Sequence, residues 1–237
     1  MHVKTRHRWD VSVDEAVKLQ RALAAELVYD RPLDLKSLRL VAGVDVSVKG
    51  DESLAAVVVL RLPELEVVET SLARAPTPFP YVPGLLSFRE GPVLEKAFRA
   101  LEHEPDVFLF DGMGRAHPRR IGIACHLGLW LERPTVGCGK TLLTGTYVEP
   151  PDLRGAQAPL VHRGELIGSI VRTRPKVKPV FISVGHLADL PSSVELVMRC
   201  TGRYRLPEPI RHAHNAAAAA WGEKAEGASA GARLSIR

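Results

Sequence analysis

LRLVAGVDVSVKGDESLAAVVVLRLPELEVVETSLAR, residues 38–74, packs three β-rich runs into one stretch with almost nothing between them. The runs 38–48, 53–62 and 65–74 are separated only by KGDE and by Pro63-Glu64. Links that short join antiparallel neighbours, because a parallel crossover needs a dozen residues or more. The stretch therefore predicts a three-stranded antiparallel meander. Asp45 sits in the middle of its first run, between Val44 and Val46. A carboxylate there is a poor strand former, so its presence needs a reason.

Outward from the meander the pattern changes. SVDEAVKLQRALAAELV, residues 12–28, opens with a capping box, Ser12 and Glu15, and continues at helical spacing. After the meander come a helix over 87–103, a short strand DVFLFDG (106–112), a helix over 119–132 and a second short strand PTVGC (134–138). Strands alternating with helices imply parallel pairing, hence an α/β mixed sheet, three antiparallel strands followed by parallel ones, with helices on both faces. ELIGSIVRT (165–173) and PVFISVG (179–185) read as a further β-pair, and 192–202 and 209–223 as closing helices. One domain is expected over 1–222, with a flexible tail over 223–237.

Composition sets the broad class. Of 237 residues, 46% are apolar and 25% charged, enough for a sizeable core, and no apolar run is long enough to span a membrane. The N-terminus has charges without the apolar stretch of a secretory signal, so a cytoplasmic, monomeric protein with no membrane partner is the expectation. Cys125, Cys138 and Cys200 lack CxxC spacing and read as buried thiols. The net charge of +5 is concentrated in VKTRHR (3–8), HPRR (117–120) and RTRPKVK (172–178), a phosphate-contacting surface if the fold gathers them.

Three acids fall at telling places. Asp45 lies within the first strand, Asp111 ends VFLFD at the crevice where α/β sheets bind ligands, and Glu90 lies in the first turn of the helix between them. Each has a structural reading when taken singly: backbone hydrogen bonding for Asp45, an Asp-Gly turn for Asp111, and for Glu90 a capping box with Ser87. Together they make a hard, all-oxygen site suited to Mg²⁺ or Mn²⁺. Such an ion on a phosphodiester activates water and neutralises developing charge, and Lys140 in VGCGKTLLTG would add positive charge there. His117 and His214 are further candidates, the first for orienting water or phosphate, the second against the plainer reading of a helix-face histidine. GKT at 139–141 is no P-loop, since Pro134 stands where that motif needs glycine.

PYVPGLLSFRE, residues 80–90, holds Tyr81 and Val82 between Pro80 and Pro83. Proline fixes its own φ and restricts its predecessor, so this is a stiff knuckle carrying an aromatic side chain.

With VAGVDVS, PYVPGLLSFRE, DGMGRAHPRRIGIACHLG, VGCGK, GSIVRT, KPVFISVGH and LPEPIRHAH in that order, the chain resembles the endonuclease V family over about residues 10–220. The resemblance implies a ribonuclease H-like fold, Mg²⁺ dependence with Mn²⁺ able to substitute, and DNA containing deoxyinosine or another deaminated base as substrate. It implies cleavage at the second phosphodiester bond 3′ to the lesion, leaving 3′-hydroxyl and 5′-phosphate ends. Inosine-containing RNA is the alternative substrate. Asp45 and Asp111 match the metal-binding aspartates, Glu90 the catalytic glutamate, Lys140 the lysine on the scissile phosphate, and His117 a histidine that supports catalysis. His214 matches a position near the metal, and Met113 stands where relatives often carry a polar residue or histidine, a difference that could tune the pocket. Pro80, Tyr81, Val82 and Pro83 match the wedge that enters the duplex, while Gly84, Leu85, Gly112, Ile123, Gly137 and Leu143 resemble the lining of the base pocket.

Overall fold

A computed structural model describes residues 1–230, with side chains described for 1–222. The chain runs α1 (Val13–Ala24), β1 (Leu40–Lys49), β2 (Glu52–Arg61), β3 (Glu66–Pro76), α2 (Leu86–Arg99), β4 (Val107–Phe110), α3 (Ile123–Leu131), β5 (Thr135–Gly139), β6 (Gln157–His162), β7 (Glu165–Val171), β8 (Val180–Val184), α4 (Leu190–Arg199) and α5 (Glu208–Ala230). The strands form one eight-stranded sheet in the order β3-β2-β1-β4-β5-β8-β7-β6. The meander is antiparallel, β4 pairs parallel to β1, and β5 pairs parallel to β4. β8 and β7 are antiparallel neighbours, as their sequences suggest.

β6, which pairs with β7 at the sheet edge, is a finding the sequence did not announce. Its sequence QAPLVH includes Pro159, which argues against a central strand and is tolerated at an edge, where a missing N–H need not break a ladder. α1 carries the capping box as read: Ser12 accepts from the Glu15 N–H, and the Glu15 carboxylate accepts from the Ser12 N–H at 2.8 Å. α5 continues to Ala230, so the expected tail begins as helix, and residues 231–237 lie outside those described. None of the described helices is long and apolar enough to cross a membrane. The three cysteines are buried and unpaired.

Two apolar layers sandwich the sheet. On one face Val41, Val58, Leu109 and Cys138 meet Val197 of α4 and Ile210 and Ala213 of α5. On the other, Ala42, Val44, Phe108 and Phe110 meet Val93 and Phe98 of α2 and Leu127 and Trp130 of α3. The alternation along β1 and β4 is the two-residue period of a strand. β2 is buried along almost its whole length on both faces, which explains its unbroken apolar run.

Gly43 lets α5 reach the sheet. A Cβ there would lie 1.9 Å from the Pro209 carbonyl oxygen, at the first turn of α5. Gly43→Ala is expected to push that helix start off β1 and cost about 3 kcal/mol, the upper end for overpacking. Urea denaturation of the two proteins tests this; an unchanged midpoint would mean that α5 does not need this contact.

Candidate active site

The strand period aligns the site. Along β1, Val41 and the bare face of Gly43 lie on the α5 side, so Asp45, two residues on, does too. Val107 and Leu109 of β4 share that face, which puts Asp111 there, and Val136 and Cys138 of β5 do the same for Lys140. Parallel pairing of Val44 with Phe110 sets Asp111 beside Asp45, and the Asp111 N–H donates to the Val44 carbonyl at 3.0 Å. His214, just over one turn beyond the Gly43 contact on α5, donates from Nδ1 to Asp45 Oδ2 at 2.9 Å. Lys140 Nζ lies 2.5 Å from Asp111 Oδ2.

One ligand atom each from Asp45, Asp111 and His214 lie within 4.8 Å of one another. Glu90 lines the same cleft of about 300 Å³ together with these residues and Lys140. Burial, then the charges of Asp45 and Asp111, push the Glu90 carboxyl up to about 8. Burial and the Asp111 charge likewise raise Asp45, against the pull of His214 and Lys140. Ionising Glu90 beside Asp45 and Asp111 in this buried cleft is therefore costly.

The capping-box reading of Glu90 is corrected. α2 starts at Leu86 behind a Leu85 N-cap with no side-chain cap, so Ser87 is already inside the helix. Its hydroxyl bonds the buried His126 Nδ1 at 2.8 Å instead. Among the described residues nothing hydrogen-bonds the Glu90 carboxyl, which is left to the acidic cleft.

A second cleft of about 300 Å³ lies alongside and shares Asp111 and Lys140 with the first. Of the expected wedge and pocket residues, Tyr81, Val82, Pro83, Gly84, Gly112, Ile123 and Leu143 line it. Pro80 is exposed beside Tyr81, which is 72% exposed. Leu85 turns away into a cluster with Ala16, Phe79 and Phe88, and Leu86 takes its place in the lining. Gly137 is buried behind the wall, where a Cβ would lie 2.3 Å from the Gly114 nitrogen; its bareness lets the turn after β4 rest on β5. Met113, where relatives often differ, lines the cleft too, as do Gly139, Thr141 and Gln20, which no motif singled out as lining residues.

His117 stands at the root of the knuckle. Its Nδ1 accepts from the Arg119 N–H at 3.1 Å, so Nε2 carries the proton and donates to the Gly84 carbonyl at 2.9 Å. Arg119 and Gln20 donate to the same oxygen at 2.8 and 3.0 Å. Burial lowers His117 to about 4, which keeps it neutral. Arg89 ties the other end of the knuckle through the Phe79 carbonyl at 2.7 Å. The basic clusters are largely spent on such internal bonds: Arg120 joins Glu165, Arg172 is buried against Glu149 and Pro150, and Arg6 joins Glu26.

A mixed sheet whose first strand carries one carboxylate and whose adjacent parallel strand delivers another defines a ribonuclease H-like fold. The Endonuclease V family model matches residues 21–215, and the chain belongs to that family, which makes it a nuclease. It is 47% identical over 213 residues to endonuclease V of Trichormus variabilis, covering 89% of this chain and 96% of that one. With endonuclease V of Myxococcus xanthus it shares 51% over 224 residues, 92% and 95% of the two chains. Among solved structures, endonuclease V of Bacillus subtilis superposes with a TM-score of 0.91 at 32% identity, covering 96% of this chain and all of that one. Ciona intestinalis endonuclease V, in complex with a 24mer DNA containing an inosine followed by a ribo-adenosine, superposes at 0.78 with 28% identity, covering 89% and 98%.

The raised Glu90 carboxyl has a consequence for stability. A carboxyl that holds its proton in the folded state but loses it near its usual 4.5 when unfolded stabilises the fold fully below that value, and this is lost as pH rises to about 8. In EDTA, chemical denaturation across that window should show stability falling with pH, and Glu90→Gln should flatten the fall. Equal slopes in the two proteins would mean that Glu90 is not strained by its neighbours.

Proposed function

We propose that this chain is a Mg²⁺-dependent DNA repair endonuclease that recognises deoxyinosine and hydrolyses the second phosphodiester bond on its 3′ side, leaving 3′-hydroxyl and 5′-phosphate ends. The observation that carries the reading is the wall shared by the two clefts: Asp111 and Lys140 border both the acidic cleft and the one beside the Tyr81 knuckle. A base held in one places its own strand's backbone at the other.

The donor set fits a hard divalent cation. Two close carboxylates, one with its pKa raised by burial and by the other's charge, and a carboxyl without a hydrogen-bond partner are relieved by added positive charge. Asp45 and Asp111 would hold Mg²⁺ or Mn²⁺, with Glu90 and His214 beside them. When bound, the ion supplies Lewis acidity toward the phosphate and a more acidic water.

The chain's own residues do the rest. Lys140 brings an ammonium to the phosphoryl oxygens, a fixed charge where negative charge grows in the transition state. Glu90, with its proton affinity raised, is suited to take the proton of the attacking water once its neighbours' charge is offset. His117, whose ring nitrogens are committed to Arg119 and Gly84, acts as a positioning residue that keeps the knuckle upright. Tyr81, exposed on a segment stiffened by Pro80 and Pro83, suits a wedge that fills the gap left by an extruded base. Unstacking costs a few kcal/mol, least where pairing is already poor, so selectivity begins at this step.

The test is cleavage of end-labelled duplex DNA holding one deoxyinosine, with Mg²⁺ and with EDTA, the cut mapped to the nucleotide. Because the Ciona intestinalis complex carries a ribose after its inosine, a matched inosine RNA is run alongside; stronger cutting of the RNA would move the function to RNA turnover. Asp45→Ala and Asp111→Ala are expected to abolish cleavage with the circular dichroism spectrum unchanged, and an active Asp45→Ala protein refutes the metal assignment. Tyr81→Ala should reduce the preference for inosine over undamaged duplex; an unchanged preference removes the wedge from the mechanism.

A further inference from the structure

Ser87, His126 and His7 form a hydrogen-bonded chain, buried at Ser87 and His126 and half-buried at His7, that the cleavage chemistry does not use. Ser87 Oγ lies 2.8 Å from His126 Nδ1, His126 Nε2 lies 2.7 Å from His7 Nε2, and His7 Nδ1 lies 2.8 Å from the Arg8 carbonyl oxygen. His126 is fully buried at 0% exposure, and Ser87, at 1%, sits in the wall of the cleft beside the Tyr81 knuckle. Trp9 and Phe88 pack on both imidazoles.

The direction of every proton in this chain follows from one end. A carbonyl oxygen only accepts, so the hydrogen between His7 and Arg8 sits on His7 Nδ1. Burial lowers the pKa of both histidines, His126 far more, and each ring is neutral with a single N–H. His7 Nε2 must then accept, His126 must donate from Nε2, and His126 Nδ1 must accept. The only hydrogen left for that last contact is the hydroxyl proton of Ser87. An ordinary serine turns its hydroxyl to suit its partner; this one has its proton committed inward.

Ser87 also lines the cleft beside the Tyr81 knuckle. Apart from His126, no described residue hydrogen-bonds its hydroxyl, and because that bond uses the proton, the oxygen's lone pairs are left to accept from a ligand. We propose that Ser87 Oγ is an acceptor, locked as such by His126 and His7, that reads the ring N–H of the base held in the cleft. The proposal rests on the deaminated-base reading above and deepens it. Hypoxanthine, xanthine and uracil each carry a ring N–H next to a carbonyl. Adenine and cytosine present a bare ring nitrogen at the same place, and its lone pair would face the lone pair of Ser87. A site with a fixed hydrogen-bond polarity rejects the wrong partner because the buried group is left unpaired. Deamination of adenine or cytosine reverses the polarity of that ring nitrogen, and the chain from Arg8 to Ser87 holds the matching polarity fixed; guanine and thymine carry the same N–H, so this contact separates hypoxanthine from adenine and uracil from cytosine.

The experiment crosses two proteins with two bases. Affinity and single-turnover cleavage are measured for strands holding one hypoxanthine or one unsubstituted purine (2′-deoxynebularine), which lacks the ring N–H. Nebularine also lacks the carbonyl, but contacts to the carbonyl are the same in both proteins and cancel in the comparison. The preference for hypoxanthine should fall by about tenfold or more in Ser87→Ala, through weaker handling of hypoxanthine with purine nearly unchanged. His7→Phe, which keeps an aromatic ring but leaves His126 free to change tautomer, should lower the same preference. ¹⁵N shifts of the native protein should show His126 protonated at Nε2. A preference unchanged in Ser87→Ala, an equal loss on both bases, an unaffected His7→Phe protein or a proton on His126 Nδ1 would overturn the proposal while leaving the nuclease reading intact. A native protein with no preference for hypoxanthine over adenine would overturn both.

Discussion

The rest of the site depends on one electrostatic conflict held in place by β geometry. Asp45 and Asp111 point the same way because each continues the α5-facing row of its strand, and they are neighbours because β1 and β4 pair in parallel. Neither can move apart without breaking the centre of the sheet. Burial and their charges together raise Glu90, and Lys140 and His214 are drawn onto them at 2.5 and 2.9 Å. Like charges at fixed spacing are a stored requirement for a cation, and removing that conflict would also remove the reason for a metal to bind. The arrangement spends stability on chemistry, as the strained parts of a site commonly do.

Two long-range contacts bring the other parts to this pair. α5 reaches β1 only because Gly43 has no side chain, and that approach delivers His214 to Asp45. The knuckle is held at both ends by hydrogen bonds to backbone oxygens, Arg89 at Phe79 and the trio of Gln20, His117 and Arg119 at Gly84. Gly84 itself adopts a positive φ of 81°, the conformation that glycine reaches without strain and that turns the chain from knuckle into α2. Tyr81 is thus mobile only as a side chain, on a backbone fixed by proline within and by hydrogen bonds on either side. A wedge so mounted can displace a base without itself being displaced.

The division between the two clefts separates the two tasks of recognition and cleavage. The acidic cleft is lined by charge and the other mainly by glycine, aliphatic side chains and Ser87. Asp111 and Lys140 alone belong to both, so strand position and chemistry are coupled through two side chains. The aromatic cage around His7 and His126 lies behind the recognition side, where low polarity keeps the imidazoles neutral and their hydrogen bonds fixed in direction.

The meander, the mixed sheet, the capping box of α1 and the strand positions of Asp45 and Asp111 were legible in the sequence, because strand periodicity, short links and caps are local and the chain writes them in its own order. Tertiary structure decided the rest. Ser87 and Glu90 read as a cap until His126 claimed the serine; His117 reads as a group for phosphate until Arg119 and Gly84 occupy both its nitrogens; Leu85 and Leu86 are indistinguishable in sequence, yet only the second lines the cleft. β6 stayed hidden because Pro159 is acceptable only at an edge, and an edge is a property of the assembled sheet. Which polar group meets which is set largely by partners distant in the sequence, and side chains with several possible bonds take the ones that burial leaves them.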